Sequence, residues 1–163
     1  MAVTYENVFY DFVMDPLRDL FITEYEDYGK IYISPKILHK DPFSIRIWGN
    51  SSDTNEYFLS AWQKEYNVEV SVYEIETNPG EVFFKQFYND IERIYQLLFE
   101  NAKTVSTTLS DGSGNNTSSV THTWIDGVCE EFIINEFQDD EEEIEGLNVA
   151  RFIFNCKIIR ENT

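Results

Sequence analysis

Residues 148–160 read NVARFIFNCKIIR. Ala150, Phe152, Phe154, Cys156 and Ile158 fall on one side of an extended chain, and Arg151, Asn155 and Lys157 on the other. That period of two is the mark of a strand with one face on a core. Such a strand needs neighbours to pair with and a layer to cover its apolar face.

The rest of the chain supplies both. Just before it, QDDEEEIEG (138–146) reads as an exposed turn, and 124–137 as a mostly extended segment. Further back, KTVSTTLSDGSGNNTSSVT (103–121) is rich in Ser, Thr, Gly and Asn, and reads as a flexible arm, either a mobile loop or a long hairpin. Asn78-Pro79-Gly80-Glu81 predicts a helix start, with Asn78 as cap, Pro79 in the first position and Glu81 as a capping-box carboxylate. Phe84, Phe87, Ile91, Ile94, Tyr95 and Leu98 then form a stripe to about Asn101, with Lys85, Asp90, Glu92 and Arg93 on the outward face.

Towards the N-terminus, Val68, Val70 and Val72 alternate with Asn67, Glu69, Ser71 and Tyr73, a second strand. Residues 57–66 read equally as strand or loop, and 49–56 as a polar loop. Phe43, Ile45 and Ile47 alternate with Ser44, Arg46 and Trp48, and 30–34 is a short strand candidate. The first 25 residues carry a helical stripe through Tyr5, Val8, Phe9, Phe12, Val13, Leu17, Leu20 and Phe21. Pro16 interrupts it, which predicts a kinked helix or two short ones, with Asp15-Pro16 capping the second. Strands and helices do not alternate as in βαβ units. The reading is one α+β domain over 1–163: a mainly antiparallel sheet, with an N-terminal helix and a second long helix packed on one face.

Composition bounds the function. The chain has 163 residues, 42% apolar and 16% aromatic, enough for one core. Its 30 acidic and 12 basic side chains give a net charge of −18. That charge repels nucleic-acid phosphates and anionic membranes alike. Nothing in MAVTYENVFYDF predicts a signal peptide, and Cys129 and Cys156 form no CxxC pair, so both thiols are expected free in a reducing compartment.

Signals for chemistry are sparse. His39 and His122 are isolated, and no nucleophile elbow, phosphate loop, HExxH or dinucleotide fingerprint occurs. DGSGNN from Asp111 departs from a calcium loop: its glycine is misplaced and its twelfth position is His122. Asp139, Asp140, Glu141, Glu142 and Glu143 offer oxygens, but a contiguous acidic run reads as a solvated turn. No catalytic, cofactor-binding or metal-binding residue is assigned, and no cofactor is expected.

Taken together, TYENVFYDFVMDPLRDLF, DPFSIRIWGNS, NVEVSVYEIE, EVFFKQFYNDIERIYQLLF and the pair WIDGVCEEFIINEF and LNVARFIFNCKII around an acidic turn resemble the tail-terminator and neck (head–tail connector) proteins of long-tailed, myovirus-like bacteriophages. The resemblance is one of organisation over nearly the whole chain. It implies a non-enzymatic virion structural protein that assembles in the host cytoplasm into a ring, commonly hexameric. Its implied partners are further copies of itself, tail tube or sheath proteins, and head-side connector proteins. Genome DNA would pass through without specific binding, and no membrane is involved. The acidic turn at 139–145 is then the candidate rim of the channel. The competing reading is an acidic DNA mimic that occupies the basic cleft of a DNA-binding enzyme or repressor. A carboxylate-based hydrolase is a weaker third. Six of the 30 acids cluster at 139–145 instead of spreading along regular elements, which favours the ring.

Overall fold

The computed structural model describes residues 5–25, 28–35, 41–110, 116–138 and 141–161, with the backbone alone in 106–110 and 116–122. Strands β1 (Lys30–Ile33), β2 (Phe43–Tyr57), β3 (Ala61–Ile75), β6 (Ile125–Ile134) and β7 (Leu147–Glu161) form one sheet in the order β1-β2-β3-β7-β6. The pair β1–β2 is parallel and the other pairs are antiparallel. A separate antiparallel hairpin joins β4 (Thr104–Ser110) and β5 (Asn116–Thr123). Of the two readings for 103–121, the hairpin is the one found.

Register explains the core. Ile45, Val72 and Ala150 share one row across three strands, and Ile47, Val70 and Phe152 the next. Helix α2 (Glu81–Glu100) covers these rows with Phe87, Ile91, Ile94 and Leu98. Helix α1 (Asp15–Glu24) adds Leu17 and Phe21 to the same cluster. Each such side chain, fully buried, contributes about 1.5–3 kcal/mol. Both helices therefore lie on one face of an α+β sheet. Among the described residues, no helix is long and apolar enough to cross a membrane.

Several local expectations are corrected. The N-terminal helix starts at Val8, leaving Tyr5 exposed, and runs through a π-helical turn at Tyr10–Met14 into α1 without a break. Asp15 is helical and caps nothing, because Met14 before it is already helical. Pro16 is tolerated in the first turn of α1, where its missing N–H removes little. Gly80, not Asn78, is the N-cap of α2, because the helix begins only at Glu81, and no side chain caps it. Asp90, read as outward, is buried against the sheet, while Phe84 and Tyr95 of the apolar stripe are exposed.

The largest correction concerns 49–66. The stretch read as a polar loop is strand: β2 continues to Tyr57 and pairs with β3 down to Trp62. β7 flanks β3 as far as Ala61 opposite Glu161, so the three strands continue together as an arm, whose end is held to the N-terminal segment by Arg160 with Glu6 and the Phe12 ring. The polar residues that β2 contributes are exposed on both faces; the backbone ladder holds them extended, and Asn55 Nδ2 donates to Glu65 Oε2 at 2.9 Å across it. At its root, Asn50 Nδ2 donates to Asn67 Oδ1 (3.0 Å), and Asn67 Nδ2 to Asn155 Oδ1 (2.7 Å). Gly49 leaves the space that Phe9 fills: a Cβ there would lie 2.4 Å from the Phe9 ring.

Candidate functional site

Two exposed apolar features stand out. The first lies where the C-terminal half of α2 meets β6. β6 is an edge strand broken by irregularities between Ile125 and Val128 and between Cys129 and Glu131, and Asp126 there has φ 51°. Tyr95 and Phe99 of α2 and Val128 and Cys129 of β6 line a groove of about 350 Å³, with Glu100 and Lys103 also in its wall. Tyr95 meets Phe132 edge-on at 6.5 Å, which fixes the helix against the edge. Phe99, Val128, Phe132 and Ile133 are all exposed.

The second is the tip of the arm. The Phe58 N–H donates to the Ala61 carbonyl at 2.7 Å and closes the turn between β2 and β3. Tyr57 is 76% and Leu59 104% exposed. Lys64 lies 4.7 Å over the Trp62 ring and holds it to the arm.

The second face of the sheet is polar and largely buried. Arg46, Ser71 and Arg151 share one row. Arg46 pairs with Glu69 and with the Pro35 carbonyl, and donates to Ser71 Oγ at 3.0 Å. Arg151 pairs with Glu141 and donates to Glu69 Oε1 (3.2 Å) and Ser71 Oγ (3.0 Å). The Tyr73 hydroxyl donates to Glu141 Oε1 at 2.8 Å, and the Gln138 N–H to Glu141 Oε2 at 2.9 Å. Two guanidinium groups and two carboxylates thus neutralise one another. Burial holds Arg46 below its ordinary value. Burial also pulls on Arg151, but its hydrogen bond to Glu141 and the neighbouring Tyr73 more than reverse that and leave it raised.

This network corrects the acidic turn. Glu141 is 2% exposed, because the chain turns at Asn135 (φ 55°) and folds back over the second face, where the arginines require counter-charge. Glu142, Glu143 and Glu145 are exposed; Asp139 and Asp140 lie outside the described residues.

A second buried acid meets the core. Glu74 continues the Val68–Val70–Val72 face of β3 and comes up against Asp90 of α2. The two are 4% and 0% exposed. Burial, then the charge and hydrogen bond of Asp90, push the Glu74 carboxyl up to about 8. Gln86 Nε2 donates to Asp90 Oδ2 at 3.0 Å. The pair is sealed from solvent, so its chemistry is a shared proton that ties helix to strand, not attack on a substrate.

The remaining sequence candidates do not gather. His39 and 111–115 lie outside the described residues, as does the His122 side chain. Cys129 lines the groove and Cys156 is in the core, both as free thiols, with burial pushing them up to about 11 and about 12. Among the described residues, no three His, Cys, Asp or Glu side chains come together as a metal site. Sequence reasoning missed the groove and the tip. The run Tyr57-Phe58-Leu59 beside a polar stretch was the available signal for the tip. Neither protein-family models nor curated proteins match the chain.

Proposed function

We propose that the chain is a virion structural protein, a ring-forming tail-terminator or neck subunit that caps the tail tube of a long-tailed, myovirus-like phage and joins tail to head. The head–tail placement comes from the resemblance of its element order and motifs. The observation that supports assembly is the apolar character of the two sheet extremities: an open β6 edge with an apolar groove, and an arm with an apolar tip. Exposed edges invite pairing with another chain, and apolar surface at both ends gives each subunit two contacts. The net charge of −18 suits a wall past which DNA slides without sticking. With Glu141 drawn inward, Glu142, Glu143 and Glu145 are, among the described residues, the acids of the turn left for a rim.

The test is a mass measurement in solution, and again with assembled tail tubes. A closed oligomer that binds tube ends is expected. A monomer at all concentrations, absent from purified virions and bound one-to-one to a basic DNA-binding protein in a salt-sensitive complex, would replace the ring with the DNA-mimic reading.

A further inference from the structure

We propose that the Tyr57–Leu59 tip of one copy seats in the α2–β6 groove of the next, head to tail. This rests on the ring reading and specifies its contact.

Position excludes a contact within one chain. Trp62, beside the tip, is level with Arg160 of β7, whereas Cys129 of the groove is level with Phe154. Six residues of strand separate them, about 20 Å at 3.3–3.4 Å per residue. The arm is paired along its length, and Arg160, opposite Trp62, is tied to Glu6 and to the Phe12 ring, so the tip is held at that end and does not fold back on its own groove. A second copy can reach it.

Charge favours the same pairing. Copies carrying −18 repel, so contact requires patches free of net charge. The run 57–62, YFLSAW, has no charged residue. The groove wall carries one acid, Glu100, and one base, Lys103. Aromatic and aliphatic side chains at the tip suit a groove of about 350 Å³ walled by Tyr95, Phe99, Val128 and Cys129. Because tip and groove are different surfaces, the contact is heterologous: each copy offers one of each, and repetition closes a ring when the rotation allows.

Leu59→Asp and Phe99→Asp place a charge in the tip and the groove, at exposed positions. Sedimentation velocity of the full chain should show each variant as a monomer. An equimolar mixture should form a dimer that grows no further, since only one sound tip and one sound groove remain. A mixture that stays monomeric overturns the proposal. An oligomer that survives both changes overturns it while leaving the ring reading standing. A wild-type chain that never oligomerises overturns both.

Cys129 supplies a check that does not depend on destabilising changes. Leu59→Cys with a short bismaleimide should give a denaturation-resistant ladder of multimers, lost with Cys129→Ser. No ladder from assembled protein, or a ladder indifferent to Cys129, would refute the contact.

Discussion

The indole N–H of Trp124 donates to the main-chain carbonyl of Phe12 at 2.8 Å. The turn here is π-helical, with the Asp15 N–H bonded to the Tyr10 carbonyl five residues back, and Pro16, four residues after Phe12, has no N–H. A side chain from far along the sequence thus adds a donor where the helix departs from regular α geometry. Trp124 is also buried, edge-on to Phe154 at 5.2 Å.

Trp124→Phe removes the donor while keeping an aromatic ring. Losing this hydrogen bond should cost about 0.5–1.5 kcal/mol in chemical denaturation. In a Pro16→Ala background the helix regains an N–H, and the cost should shrink. Equal costs in both backgrounds would show that Pro16 and Trp124 are independent.

Glu141→Gln should cost about 3–5 kcal/mol, because it leaves the buried Arg46 and Arg151 to share the one carboxylate of Glu69. Glu142→Gln and Glu143→Gln, at exposed positions of the same run, should stay within about 0.5 kcal/mol. Three indistinguishable urea midpoints would contradict the network.

Stability should fall as pH rises from about 4.5 to about 8. The unfolded Glu74 carboxyl loses its proton near 4.5, whereas the folded one keeps it to about 8. Over that window the folded state holds the extra proton, so its stabilisation is complete below the window and lost through it, by at most about 1.4 kcal/mol per pH unit. Asp90, Gln86 and Arg93 of α2 and Tyr25 and Tyr28 after α1 are the polar groups around the pair. In Glu74→Gln an amide can donate to Asp90 at every pH, so the slope between pH 5.5 and 8.5 should flatten. An unchanged slope would assign the pH dependence elsewhere.

Phe87→Ala and Phe154→Ala should each cost about 3–5 kcal/mol, since both rings are buried where α2 meets the sheet. A denaturation midpoint unchanged within error for either would remove that residue from the core.

The regular core was legible because period is a local signal. Phe152 and Phe154 alternate, and Phe87, Ile91, Ile94 and Leu98 recur at helical spacing, and each sits where its pattern puts it. The arm was not legible, because strand residues exposed on both faces carry no alternation, and 49–56 look like any polar loop. Asp90 and Glu141 were misread for a different reason. Nothing beside them in sequence says that Glu74 and Arg151 wait across the fold. Arg46 and Arg151 were the available hint: a cation inside an apolar strand demands a partner from somewhere.

Asn50, Asn67 and Asn155 form amide-to-amide rungs across three strands. Past them Tyr66, Cys156 and Ile158 are the last core residues, and Arg160 the last to reach the N-terminal segment. Adding two residues to each strand beyond Trp62 and Arg160 would keep every side chain on its own face and leave those contacts untouched. The reach of the arm is thus a quantity that descent can lengthen in small steps, as a ruler is made to suit the gap it spans.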